Sequence, residues 1–342
     1  MAREDKLPIP SSRATRHAPR ATRRRPVVSV CVVNWNCRPL LRACLRSLTS
    51  KLQRLRLEVI VVDNGSTDGA ADMVRRRFPR VVLVRNADNA GFARANNQGA
   101  ALARGRYLFF LNNDTVVPPG ALRRLVEYAR LHPEIGLLGP RLRDPRGRVQ
   151  VSCRRRPTVA ALLHRTCLLR WTGLFRRAYR RYRSRDGVDD GVRPVDVLMG
   201  AALLMRRDLF REIGGWDEDY TFGGEDIDLC TRVGRRRPVV HHPGVEIAHH
   251  GRASSRRHID YVYSHTLTGV TRSMRKAGGS SAALALYKIV ITLDAPVQWL
   301  RLGCQYLWRR ARSQAAAAER SRVALRGVGA FLTRGLAAFW RA

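Results

Sequence analysis

Short apolar runs alternate with amphipathic ones through the first 140 residues of this chain. A β-branched run over 27–33 predicts a strand that stops at Asn34-Trp35-Asn36, and over 39–52 apolar residues recur at helical spacing. The unit then repeats, with a strand over 58–62, a loop Asp63-Asn64-Gly65-Ser66-Thr67-Asp68-Gly69 and a helix over 70–78. A short strand over 81–85, a helix of small residues over 89–103 and a buried strand over 107–111 follow. Strands and helices alternating at this spacing imply parallel pairing through right-handed crossovers. The expected class is α/β, with these residues forming half of a doubly wound, mostly parallel sheet.

After residue 139 the pattern loosens into an arginine-rich stretch that includes Arg154-Arg155-Arg156, where loops and short helices are expected to cover a site. Order returns with an apolar run over 195–205, expected to be one strand, and a short helix over 207–213. From about residue 270 the chain changes to helices with apolar faces and many arginines, notably over 282–301 and 323–340. Lys288, Asp294 and Pro296 interrupt the first and Arg326 and Arg334 the second, so both are expected to lie at an interface rather than to span a membrane. The expected organisation is a disordered basic arm over 1–26, a domain over 27–265 and a basic amphipathic helical extension over 266–342.

Composition adds a constraint on partners. The 342 residues carry 64 Lys and Arg against 27 Asp and Glu, a formal net charge of +37, which calls for an anionic partner. Nucleic acid, an anionic membrane and a phosphorylated substrate fit that charge equally well. The basic residues are scattered and no helix-turn-helix, zinc-finger or RNA-recognition signature interleaves them, so nucleic acid is not the expected partner. Seven cysteines without Cys-x-x-Cys spacing argue against a disulfide framework or a zinc site, and a reducing cytosol is the simplest setting. The first 25 residues contain no apolar core of a secretory signal.

The candidate chemistry sits where strands end. Asn112-Asn113-Asp114 follows an apolar strand at the sheet's carboxyl edge, where open α/β sheets bind ligands, and Asp114 offers the hard oxygen that suits Mg²⁺ or Mn²⁺ with a diphosphate. The plain alternative is a turn. Asp63 ends another strand and is placed to accept hydrogen bonds from a ribose or base, whereas Ser66 or Asp68 reads equally as a helix cap. Neither Gly-x-Gly-x-x-Gly nor a Walker A lysine occurs, so a metal would have to hold the diphosphate. Glu225-Asp226-Ile227-Asp228 packs three carboxylates into four residues at a helix start; like charges this close raise one another's pKa and suit proton abstraction. His249 and His250 offer imidazoles for a metal.

Taken in order, these segments resemble the family 2 glycosyltransferases of GT-A fold, especially the bacterial branch that contains rhamnosyltransferases. The resemblance spans about residues 27–260 and adds Asn89-Ala90-Gly91-Phe92-Ala93-Arg94-Ala95-Asn96-Asn97, and Ser254 beside His249. It implies that Asp63 contacts the nucleoside of an activated sugar, and that the donor is further held by Asn34, Asn36, Asn64, Gly65, Ser66, Asn89, Gly91, Phe92, Asn96, Asn112 and Asn113. Asp114 ends the family's Asp-x-Asp metal motif, in which Asn112 replaces the first acid. Asp226 is implied as the catalytic base, with Glu225 beside it, and His249 as a metal or diphosphate contact; Asp228 and His250 compete for those roles. The implied reaction is an inverting transfer from dTDP-rhamnose, a UDP-sugar or a GDP-sugar to a glycan or polyprenyl-diphosphate-linked acceptor. A cytoplasmic protein peripheral to an anionic membrane fits that acceptor. An inactive nucleotide-sugar fold acting as a scaffold or binding nucleic acid is the competing reading.

Overall fold

The computed structural model describes residues 25–50, 55–183, 191–251 and 259–342. Most of the expected basic arm, and Ser254, lie outside the described residues. The first elements follow the predicted order: β1 (Val28–Asn34), α1 (Arg38–Thr49), β2 (Leu57–Asn64), α2 (Ala70–Arg77), β3 (Val82–Asn86), α3 (Phe92–Leu102) and β4 (Tyr107–Asn112). Next come β5 (Thr115–Val116), α4 (Ala121–Leu131), β6 (Leu137–Arg143), β7 (Cys153–Arg154), α5 (Val159–Leu163), α6 (Cys167–Arg170) and α7 (Arg176–Arg183). Then follow β8 (Arg193–Pro194), β9 (Val197–Leu198), β10 (Ala202–Arg206), α8 (Arg207–Glu212), α9 (Glu225–Gly234) and β11 (Val239–His249). The chain closes with α10 (Ile259–Lys276), α11 (Ser281–Ala311), α12 (Ala315–Ala330), a π-helical turn (Phe331–Gly335) and α13 (Leu336–Arg341).

The main sheet runs β3-β2-β1-β4-β10-β6-β11-β5, with β8 also pairing with β11. Strands β3, β2, β1 and β4 are mutually parallel, as are β6 and β11; β10 is inserted antiparallel between β4 and β6. Alternate residues of the central strands enter opposite cores, because side chains switch faces along a strand. Val30, Val32, Val61 and Phe109 pack against Leu41 and Leu45 of α1, Met73 of α2 and Leu125 of α4. Cys31, Ile60, Leu108 and Phe110 face Ala93 of α3, Phe210 of α8 and Leu229 of α9. Burial on both faces explains why these strands read as unbroken apolar runs rather than alternating ones.

Two expectations are corrected. The run over 195–205 is two strands: Leu198 of β9 pairs with Cys153 in a small second sheet, whereas Ala202 of β10 pairs with Leu111 in the main sheet. A turn through Gly200 carries the chain from one to the other. Residue 139, where regularity was expected to end, lies inside β6. Helix α11 runs for 31 residues with Pro296 inside it, and the Asp294 carboxylate turns inward and accepts the Leu168 N–H at 2.9 Å. By length and composition alone this helix is apolar enough to cross a membrane. The helices form a third core in which Leu162, Leu163, Met274, Leu284, Tyr287 and Phe331 pack together, and α10 is continuous from Ile259 to Lys276.

Candidate active site

The carboxyl ends of β1, β2 and β4 are tied together by side-chain amides and one buried carboxylate. Asn113 Nδ2 donates to Asn34 Oδ1 at 2.7 Å, and Asn34 Nδ2 donates to Asp63 Oδ1 at 2.9 Å and Ser66 Oγ at 3.1 Å. The Ser66 N–H in turn donates to Asp63 Oδ2 at 3.2 Å. Asp63 is 1 % exposed and lies behind the cleft wall. Buried groups of this kind must be paired, and pairing here fixes the three strand ends relative to one another. Asn36 adopts a left-handed φ of 51° and accepts the Thr67 N–H at 2.9 Å, which ties the β1 loop to the β2 loop. Asp68 accepts the Arg38 and Ala70 N–H groups, the capping role that was the plain reading for it.

A second set orders the neighbouring wall. Asn64 Nδ2 donates to Asn89 Oδ1 and to the Gly91 carbonyl, each at 3.1 Å, while Asn86 Nδ2 donates to Asn64 Oδ1 at 2.7 Å. Gly65 has φ +69°, and a Cβ there would come 2.7 Å from the Ala87 carbonyl oxygen, so glycine is required where the two loops touch. Above this framework opens a cleft of about 280 Å³. Asn64, Asn89, Gly91, Phe92, Asn112, Asn113, Asp114, Glu225, Asp226 and His249 line it. Asn34, Asn36, Asp63, Gly65 and Ser66 stand behind its wall as supports. Asn96 is buried on α3 and donates to the Phe92 carbonyl at 3.0 Å, the backbone-directed bond of a helical amide.

Asp114 and His249 meet because β5 pairs with the end of β11, with Thr115 opposite His249. Asp114 Oδ1 lies 3.3 Å from His249 Nε2, and both side chains are buried. Gln150 Nε2 donates to the His249 carbonyl at 2.7 Å, which turns Gln150 Oε1 toward Nδ1 at 2.8 Å. An amide oxygen only accepts, so Nδ1 carries a proton, and Nε2 is turned toward the Asp114 carboxylate, with Asn112 Nδ2 3.5 Å away. A carboxylate and an imidazole nitrogen side by side in a buried site are ligand types that suit a divalent cation. Among the described residues no group of three or more His, Cys, Asp or Glu side chains gathers around a common point, so any ion here needs further ligands from substrate or water. His250 is exposed; only its backbone N–H reaches Asp114, donating to the Asp114 carbonyl at 2.9 Å.

The acidic cluster opens α9. Glu225 and Asp226 line the cleft, and Asp228 does not. Two residues apart on a helix means about 200° of rotation, so only one of Asp226 and Asp228 can face a given side. Asp228 points to the other side and is held by Arg232 at 2.7 Å, which corrects its standing as a candidate base. Burial, reinforced by the Asp226 charge, pushes the Glu225 carboxyl up to about 8. Its Oε2 is buried without a partner. Arg154, delivered by β7, places its guanidinium 3.4 Å from Asp226 Oδ2 and 3.5 Å from Oδ1. The arginine, expected among loops and short helices covering the site, is part of the site's charge balance.

The opposite rim was not legible in the sequence. Trp35 and Tyr261 approach edge-to-face with ring centroids 6.0 Å apart, and Phe222 lies 6.5 Å from Tyr261. Met199, Gly200 and Thr221 complete this side. Tyr261 belongs to α10, which touches the acidic loop backbone to backbone: a Cβ on Gly269 would lie 1.7 Å from the Gly223 carbonyl oxygen. Only the glycine pair 223–224 and Gly269 allow the helix to sit this close, and no periodicity announces that.

The description "Glycosyl transferase family 2" belongs to the family model that matches residues 29–214, more than half of the chain. A Mycobacterium tuberculosis protein named N-acetylglucosaminyl-diphospho-decaprenol L-rhamnosyltransferase is 32% identical over 245 residues, covering 68% of this chain and 78% of that protein. The chain belongs to glycosyltransferase family 2. Within the family, the O-antigen biosynthesis protein RfbC of Myxococcus xanthus is 30% identical over 73% of this chain, which spans 19% of that longer protein. A mannosyltransferase from Pyrobaculum calidifontis, solved in complex with GDP-mannose and Mn²⁺, superposes with a TM-score of 0.52 over 93% of this chain and 87% of its own, at 19% identity. The GT-A fold with a C-terminal helical region and the rhamnosyltransferase-like branch of family 2 are thus the ones found, and the protein is a sugar-transferring enzyme.

Proposed function

We propose that this family 2 enzyme transfers a sugar, rhamnose in the first instance, from a nucleoside-diphosphate donor to an N-acetylglucosamine carried on a polyprenyl diphosphate. The observation that carries the reading is the single cleft that holds a metal-type donor pair, Asp114 and His249, facing the carboxylates Glu225 and Asp226. The acceptor class rests on the activity for which the Mycobacterium tuberculosis relative is named. A dTDP-sugar is the donor expected, with UDP- and GDP-sugars as the comparison set.

In this reading the nucleotide lies against Asn64, Asn89, Gly91 and Phe92, whose positions Asp63, Asn34 and Ser66 fix from beneath. Asn112 and Asn113 face the diphosphate. Asp114 and His249 are the residues that would hold a divalent ion, Mg²⁺ or Mn²⁺, whose charge opposes that of the departing diphosphate. The acceptor hydroxyl enters from the aromatic rim of Trp35, Phe222 and Tyr261. Asp226 takes its proton as the oxygen forms a bond to the anomeric carbon. The bond from that carbon to the diphosphate oxygen breaks on the opposite face, its electron pair leaving with the nucleotide, so configuration inverts and no glycosyl-enzyme forms. Arg154 orients the Asp226 carboxylate, and a protonated Glu225 keeps the cluster from carrying a second negative charge. The lipid on the acceptor sets the work at the cytoplasmic face of a membrane.

The test is transfer by purified protein from dTDP-rhamnose, UDP-sugars and GDP-sugars to a short-chain polyprenyl-diphospho-N-acetylglucosamine, with and without Mn²⁺. Product from one donor, with added metal required, supports the reading. Transfer to a soluble glycan in preference to the lipid-linked one would overturn the acceptor.

A further inference from the structure

Helix α11 is built inside out. Polar groups along it turn to the protein: Asp294 accepts the Leu168 N–H, Gln298 Oε1 accepts the Tyr263 hydroxyl at 2.7 Å, and Lys288 Nζ donates to the Trp340 carbonyl at 2.8 Å. The outward side carries Leu286, Ile289, Leu293, Leu300, Leu307 and Trp308, each between 46 and 63 % exposed. Those leucines and Ile289 recur at steps of three, four and seven, so they form one stripe, and 21 residues at 1.5 Å each make it roughly 32 Å long. Arg301 is the one exposed charge between Ser281 and Trp308. A water-facing surface helix has the opposite polarity, with charge outward.

The stripe is widened by its neighbours. Leu168, whose N–H binds Asp294, is 43 % exposed, and Trp171 one turn later is 88 % exposed. On the other flank Trp340, 43 % exposed, donates its indole N–H to Thr292 Oγ1 at 3.1 Å. Around this apolar surface the charge is positive: Arg170, Arg177 and Arg180 are exposed on α6 and α7, Arg310 and Arg312 at the end of α11, and the Arg312 guanidinium lies 4.3 Å from the Trp308 ring centroid. Aromatic rings with a polar edge and arginines with long apolar stems are the side chains that suit a bilayer interface.

We infer that the outward face of α11, with Trp171 and Trp340 at its edges, beds into the headgroup–acyl boundary of an anionic bilayer leaflet. The helix lies along the surface and does not cross it. Leu284 near one end and Leu302 near the other are both buried against the neighbouring helices, so a crossing would drag charged α12, with Glu319, Arg320 and Arg322, into the hydrocarbon. The same helical unit reaches the cleft, since Tyr261 of α10 lines it, and the next residue back, Asp260, lines a groove with Trp299, Arg326, Leu332 and Arg334. Docking by this face therefore sets the cleft beside the lipid that carries the acceptor, an arrangement that rests on the acceptor assigned above.

The test uses the full chain, sedimented with extruded vesicles of phosphatidylglycerol and phosphatidylcholine or of phosphatidylcholine alone, and a triple variant Leu286→Ser, Leu293→Ser, Leu300→Ser. Wild type should pellet with the anionic vesicles, more strongly at low salt, with a blue-shifted tryptophan emission. The triple variant should lose at least about tenfold in partitioning, since burying even one leucine is worth ~1.5–3 kcal/mol. Arg310→Glu with Arg312→Glu, which leaves the stripe intact, should weaken binding to anionic vesicles only. Transfer to a water-soluble acceptor analogue should be equal in wild type and the triple variant. Equal vesicle binding by wild type and the triple variant, or a dimer in light scattering that the triple variant dissolves while neither binds vesicles, would overturn the inference, the latter in favour of a second copy covering the stripe. Vesicle binding as expected with no transfer from any donor would leave this face assigned and overturn the acceptor reading instead.

Discussion

The two walls of the cleft are made in different ways. The donor wall comes from consecutive strand ends of one parallel sheet, cross-linked by Asn113, Asn34, Asp63 and Ser66 before any ligand arrives. The acceptor wall is assembled from distant pieces: the start of α9, Arg154 on β7, the turn at Gly200 and Tyr261 on α10. A preorganised wall holds the part of the substrate that nucleotide-sugar enzymes share, while an assembled wall is where acceptor preference can vary without disturbing the sheet. The contrast predicts that damage to the first wall appears as lost stability and donor binding, and damage to the second as lost turnover.

The largest effect belongs to the base. Asp226→Asn keeps size and removes proton affinity, so transfer should fall by about 10²–10⁴-fold with little change in the donor KM. Next is the residue that aims it: Arg154→Ala frees the carboxylate and should cost on the order of 10²-fold in turnover, with Arg154→Lys intermediate, measured as kcat at saturating donor. On the donor wall, Asn34→Ala leaves Asp63 and Asn113 each short of a buried partner. It should lower stability by about 1–3 kcal/mol in denaturant unfolding and weaken nucleotide binding in parallel. An Asn34→Ala protein of native stability would erase the distinction between the walls.

Glu225 supplies a subtler test through pH. Its carboxyl sits at about 8 in the folded protein against an ordinary 4.5, so between those values the folded state keeps a proton the unfolded chain has released. Stability should accordingly fall as pH rises across that window, and Glu225→Gln, which cannot ionise, should lack that decline in melting temperature. The smallest effect is expected at Asp228. It faces Arg232 away from the cleft, so Asp228→Asn should retain transfer.

Legibility divides along the same line. The strands from β1 to β4 were readable because their short apolar runs alternate regularly with amphipathic stretches, and the terminal Asn and Asp residues of β1, β2 and β4 stood out against them. Strand β6 was missed because Gly136, Gly139 and Pro140 interrupt its run, and β11 because His241-His242-Pro243-Gly244 reads as a loop, where the ladder shifts register. Asp226 and Asp228 could not be separated without the helix phase. Arg154 was marked only as part of an arginine-rich cover and Tyr261 had no signal at all, since each joins the site through contacts more than 30 residues apart in sequence. The extension's helices were visible as amphipathic, yet which side faced out depended on buried partners for Asp294 and Gln298 that only packing reveals.

The most direct test is a pair of binding isotherms, dTDP-rhamnose with Mn²⁺ titrated into Asp114→Ala and into Asp226→Asn, beside wild type. The account predicts that Asp114→Ala loses donor binding while Asp226→Asn binds the donor as wild type does and transfers nothing. Donor binding indifferent to Asp114, or lost equally in Asp226→Asn, would contradict the division of the cleft into two walls.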